Sequence, residues 1–61
     1  MIGTWVRTTE STGFYKSGAL ARLVLQDEDG DWWADFTLFE NADARPGVWC
    51  VGDWWEVVEE G

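Results

Sequence analysis

The sequence predicts a mainly β domain, a small five-stranded barrel built from antiparallel hairpins, with residues 1–61 as a single unit. Three observations predict it. The tetrapeptide Gly-Asp-Trp-Trp occurs twice, at Gly30–Trp33 and at Gly52–Trp55, each time as a turn signal running into aromatic residues. The β-branched and aromatic runs are short and are interrupted by Gly, Ser and Asp, the residues of turns. Folding the chain back at the first of these turns sorts the apolar side chains onto one face, as a half-buried ribbon requires.

The elements follow in order. Ile2–Thr9 is rich in β-branched and aromatic residues and predicts a strand, broken by Glu10–Gly13. Phe14–Lys16 is a short extended piece, and Ser17-Gly18 a second break. Ala19–Gln26 predicts a strand, Asp27–Gly30 a turn and Asp31–Phe39 the next strand. Glu40–Gly47 is a polar loop holding the sole proline, Pro46. Val48–Val51, Gly52-Asp53 and Trp54–Glu59 predict a closing hairpin.

The middle hairpin sets a register. With Asp29-Gly30 as a two-residue type I′ turn, Glu28 faces Asp31, Gln26 faces Trp33, Val24 faces Asp35 and Arg22 faces Thr37. One side is then Ala21, Leu23, Leu25, Ala34, Phe36 and Leu38, with Trp32 at its end. The other is Arg22, Val24, Gln26, Trp33, Asp35 and Thr37, with Arg22 diagonal to Asp35. In the closing hairpin, Gly52-Asp53 as a two-residue loop sets Val51 opposite Trp54, Cys50 opposite Trp55, Trp49 opposite Glu56 and Val48 opposite Val57. Val48, Cys50, Trp55 and Val57 are its expected core side; Trp49, Val51, Trp54 and Glu56 its outer side. The alternative is an α+β fold with a short helix at 17–26, capped by Ser17, or at 53–60, where Asp53 and Glu56 have the spacing of a helix start.

Composition narrows the class. A chain of 61 residues buries only about 60% of its unfolded surface, so its six tryptophans, each worth roughly 150–250 Å², carry much of the burial. Cys50 is the single cysteine and forms no internal disulfide, which favours a reducing compartment. No apolar run approaches the roughly 18 residues of a membrane span, and the N-terminus lacks the basic start and apolar stretch of a secretion signal. The expectation is a cytoplasmic protein, a complete small gene product from Met1 to Gly61.

Charge is unevenly placed. Residues 1–22 hold Arg7, Lys16 and Arg22 against Glu10, a balance of +2, and residues 23–61 hold eleven acids against Arg45, a balance of −10. The net −8 repels nucleic acid and anionic membrane and attracts basic protein surfaces.

The stretch Gly18-Ala-Leu-Ala-Arg-Leu-Val-Leu-Gln-Asp-Glu-Asp-Gly-Asp-Trp-Trp-Ala34 resembles the middle of an SH3 domain. There a glycine precedes an apolar strand, an acidic turn, and Gly-Asp-Trp-Trp opening the next strand. The resemblance covers about 17 of the 61 residues and implies an SH3-like barrel. An Ala-Leu-Tyr-Asp-Tyr-like start and a Pro-Ser-Asn-Tyr-Val-like segment are absent; Phe14-Tyr15 and Val51–Trp54 stand nearest to them. The resemblance implies that Trp32 faces a peptide ligand, whereas side-chain alternation puts Trp32 on the core side and Trp33 outside.

The chemistry on offer is binding. The chain has no histidine, and Cys50 has no base near it in sequence, so no enzyme and no cofactor are expected. Asp27, Glu28, Asp29 and Asp31 supply oxygen ligands, but their spacing differs from a calcium loop and reads as a solvated acidic turn, not a metal site. Outward Trp33, Trp49 and Trp54 beside Asp35 and Glu56 suit a cation, a Lys- or Arg-rich partner, or a stacked sugar; alternatively these indoles cover a core too small to bury them. The expected function is a non-enzymatic acidic protein docking on a basic surface of a partner protein. By analogy with small phage-encoded inhibitors, it would imitate phosphate charge in the groove of a nucleic-acid-binding enzyme, with no direct nucleic-acid binding. The acids placed for this are Asp27, Glu28, Asp29 and Asp31 at one turn, and Asp53, Glu56, Glu59 and Glu60 at the other. The alternatives are an SH3-like module binding a linear peptide and a structural subunit of a homo-oligomer.

Overall fold

The computed structural model describes residues 2–37 and 42–58. Its five strands are β1 (Trp5–Thr8), β2 (Leu20–Gln26), β3 (Trp32–Asp35), β4 (Val48–Gly52) and β5 (Trp55–Val57). They form one antiparallel sheet in the order β4-β3-β2-β1-β5, consistent with an SH3-like arrangement. β4 and β5 occupy opposite edges, so the sheet is not closed into a barrel.

No helix occurs among the described residues. The alternative helix at 17–26 is instead a turn and β2, and positions 53–57 of the second are a turn and β5. Helix propensity in Ala and Leu is worth only tenths of a kcal/mol per residue. Placing β2 centrally, with β1 and β3 as neighbours, buries Ala21 and Leu23 outright and outweighs it.

The middle turn is tighter in sequence than in space. Asp27 N donates to Asp31 O at 2.9 Å and Gly30 N to Asp27 O at 3.0 Å. A type I turn over Asp27–Gly30 is thus followed by Gly30 at φ 85°, a three-residue hairpin loop. The expected type I′ turn needs positive φ at Asp29 as well, and no described non-glycine residue has one. The register therefore slips by one: Leu25 pairs with Trp33 and Gln26 with Trp32. A bulge at Val24 then slips it once more, so Leu23 meets Ala34 and Arg22 meets Asp35 directly, not diagonally. Two slips restore the parity of the ribbon. Ala21, Leu23, Ala34 and Phe36 are buried as expected, while Leu25, between the two slips, is turned out and 43% exposed. Leu38 lies outside the described residues.

The closing hairpin is a correction. Trp54 N donates to Val51 O at 3.0 Å, so the chain turns there, with Gly52 at φ 49°. It then leaves β4 and pairs with β1 instead: Thr8 opposes Trp55, Arg7 opposes Glu56 and Val6 opposes Val57. The faces of β4 are also reversed. Val51 is fully buried and Val48 is 43% exposed, because the ladder to β3 sets Trp49 beside buried Ala34 and Cys50 beside Trp33.

The core is small: Val6, Tyr15, Ala19, Ala21, Leu23, Ala34, Phe36 and Val51. Half-buried Trp32, Trp49, Trp54 and Trp55 pack against it and extend it. Trp32 and Trp55 meet edge to face at 6.3 Å, and Tyr15 stacks on Phe36 at 5.0 Å. Phe14–Lys16 crosses to the 43–45 segment: Lys16 N donates to Asp43 O and Arg45 N to Phe14 O. The Tyr15 hydroxyl donates to Cys50 O at 2.7 Å and accepts from Trp54 Nε1 at 2.6 Å. This clamp ties β4 to the start of β5 where no ladder joins them.

Candidate partner-binding surface

Asp27 organises the acidic turn. One carboxylate oxygen, Oδ1, accepts from Asp29 N and Asp31 N, each at 3.0 Å. The other, Oδ2, accepts from Trp33 Nε1 at 2.9 Å. The Asx-type bonds suit an aspartate at the start of a turn. The indole N–H of Trp33, with help from the Asp31, Asp29 and Gly30 backbone, holds the Asp27 carboxyl below its ordinary value of 3.8, against a smaller opposing effect of desolvation. Asp27 is therefore ionised at neutral pH, and it locks the turn and the indole into one unit.

Trp33 stands on the outer face of β3, opposite Leu25 on β2 and Cys50 on β4. The next outer row is Arg22, Asp35 and Val48. Asp35 accepts from the backbone N–H of Thr37 at 2.7 Å and from its hydroxyl. Arg22 Nε donates to Gly3 O at 3.3 Å. Glu28, Asp29 and Asp31 are exposed around Asp27.

The expected site residues therefore divide. Trp33 and Asp35 share the outer face of β3, and Asp27, Glu28, Asp29 and Asp31 form the β2–β3 turn next to Trp33, at the opposite end of β3 from Asp35. Trp49 and Trp54 do not join them, which corrects their expected outward placement. Trp49 packs against the core, stacks on Phe14 at 4.3 Å and donates from Nε1 to Arg45 O. Trp54 packs against the core and is held by Tyr15. The placement of Trp49 follows from its pairing with Ala34, which sets its face, whereas Trp54 lies between β4 and β5 and is held by its bond to the Tyr15 hydroxyl. Glu56 is exposed on β5, separated from β3 by β2 and β1, and Asp53 is exposed at the β4–β5 turn. Glu59 and Glu60 lie outside the described residues.

The structure adds Leu25, Val48 and Cys50 to the outer face, all expected inside. Leu25 moved because of a bulge, and Val48 and Cys50 because β4 takes its parity from β3. No sequence signal marks the bulge. The β4 parity had one: Ala34, already assigned to the core, allows a bulky neighbour such as Trp49 beside it.

Elsewhere, burial holds the Tyr15 hydroxyl above its ordinary value of 10.0, so it stays neutral and able to donate to Cys50 O. Among the described residues, no group of three or more acidic, cysteine or histidine side chains is placed to hold a metal ion. No helix there is long and apolar enough to cross a membrane. No protein-family model, curated protein or solved structure matches the chain.

Proposed function

We propose that this chain is a non-enzymatic acidic binding protein that docks on a basic surface of a partner protein, as an inhibitor imitating the charge of a nucleic acid would. The observation that carries the reading is the Asp27 unit. A carboxylate on the chain's most acidic turn is bonded to a partly exposed indole at 2.9 Å, so charge and aromatic anchor are presented together in one fixed geometry. An acidic turn kept only for solubility has no need of such bracing. Exposed Glu28, Asp29 and Asp31 would steer a basic surface, and Trp33 would anchor it. The net charge of −8 gives the steering field its sign. A chain without histidine, whose Glu28, Asp29, Asp31 and Asp53 lie exposed at turns, supports binding over catalysis. A reducing, cytoplasmic setting suits the lone thiol of Cys50.

The test is capture from a cell lysate on immobilised protein, with elution by heparin or duplex DNA. Wild type is run beside Trp33→Ala and beside a Glu28→Gln/Asp29→Asn/Asp31→Asn variant. Nucleic-acid-binding proteins retained by wild type, displaced by DNA and lost from both variants are the expected result. Equal retention by the neutralised turn would show that the acids are not the contact.

A further inference from the structure

The outer face of β2, β3 and β4 carries more than charge. Leu25, Trp33 and Cys50 form one cross-strand row, and Arg22, Asp35 and Val48 form the next. Leu25 and Val48 are each 43% exposed, although Leu23, Ala34 and Val51 on the same three strands are buried on the opposite face. Ile2 and Val24 border a shallow groove of about 170 Å³ that also takes in Arg22 and Asp35. Arg22 and Asp35 stand opposite one another, so this part of the face is close to neutral. The acidic turn Asp27–Asp31 closes one end of it.

From this arrangement, and resting on the docking reading above, we infer that the partner is gripped through this sheet face. The matching surface is an apolar side chain ringed by Lys or Arg, not a bare run of positive charge. An apolar centre with a charged rim is the common anatomy of a specific interface. Here the centre is Leu25, Trp33 and Val48, and the rim is the acidic turn. Trp33 is already oriented by Asp27, so little side-chain freedom is lost when it is covered. Charge selects the occupant. A second copy of the chain would bring another −8 to the contact, while a basic, amphipathic partner is attracted to the rim and buries the centre.

The test uses two peptides followed by ¹H–¹⁵N spectra of the intact protein: an alternating Arg-Leu peptide and an oligo-arginine of equal charge. The Arg-Leu peptide is expected to bind about tenfold more tightly at equal ionic strength, close to 1.4 kcal/mol. It should shift the Trp33 indole N–H and the amides of Leu25, Val48 and Cys50. In a Leu25→Ser/Val48→Ser variant, that advantage should vanish while the Trp55 indole resonance, reporting the core, stays in place. If both peptides bind alike and perturb only the acidic turn, the sheet face is not the contact, although docking by charge stands. If neither binds, the docking reading falls with it. If the free protein sediments as a dimer in which Leu25 and Val48 resonances depend on concentration, the occupant is a second copy and the inference is wrong.

Discussion

At the scale of single residues, Asp27 and Tyr15 do the most organising. Asp27→Ala removes three accepted hydrogen bonds and should free the Trp33 indole, read as a red shift and broadening of its fluorescence and loss of its distinct indole N–H resonance. Asp27→Asn, which keeps one acceptor oxygen, should do so less. The same bond makes the turn acid-sensitive. A carboxyl whose folded value is lowered contributes stability that is complete above its ordinary value, here 3.8, and is lost as pH falls through the lower folded value. Titration from neutral pH should therefore leave Trp33 unchanged until below 3.8, and a transition near pH 6 would contradict the assignment. Tyr15 has the opposite sign. Its raised value keeps the clamp intact below pH 10.0 and loosens it as pH rises beyond. Tyr15→Phe deletes bonds to Cys50 O and Trp54 Nε1 and should cost about 1–2 kcal/mol in denaturant unfolding.

At the scale of elements, two turns show how backbone sterics override pattern. Both Gly30 and Gly52 have positive φ, at 85° and 49°, and neither neighbouring aspartate follows them there. A two-residue type I′ hairpin is therefore closed to both sites. At Gly30 the chain still folds back, through a longer loop. At Gly52 it turns and departs toward β1, whose open edge accepts Trp55–Val57. Gly52→Ala combines a left-handed backbone with an added methyl that overlaps the Trp54 ring. The backbone penalty alone is about 1–2 kcal/mol, and displacement of Trp54 from Tyr15 should raise it further. Thermal unfolding of the variant would check this, and an unchanged midpoint would mean that the turn is looser than described. Alternation within β2 and β3 was legible from the residues, since Ala21, Leu23, Ala34 and Phe36 sort correctly. The bulge at Val24 was not, because it answers to the ladder opposite and not to Val24 itself.

At the scale of the whole molecule, the fold is marginal by size and depends on indoles used as walls. Among the described residues, eight form the buried apolar core, and four tryptophans close over it. A domain this small has a total stability of only about 3–9 kcal/mol. Leu23→Ala, at the fully buried centre of β2, should remove about 2–5 kcal/mol and so leave much of the population unfolded at 37 °C, as circular dichroism would detect. The net −8 acts at the same scale. It keeps copies apart, so a monomer is expected across micromolar dilution at low salt. A homo-oligomer under those conditions would favour the structural-subunit alternative and would leave no open face for docking.

The residues alone pointed to a mainly β fold, the position of the turns, the inward placement of Ala21, Leu23, Ala34 and Phe36, and the acidic, aromatic character of the Asp27–Trp33 end. These are local properties: side-chain alternation, glycine punctuation and the count of charges are written in adjacent positions. The partner of each strand was decided only in three dimensions. β5 pairs with β1, some fifty positions away in the chain. Through such pairings Trp49 turned inward while Leu25 and Val48 turned out, and Trp54, between β4 and β5, is drawn in by Tyr15. A strand with apolar residues on both sides has no preferred face of its own. Its face is settled by whichever ladder buries more surface, and that choice belongs to the assembled sheet.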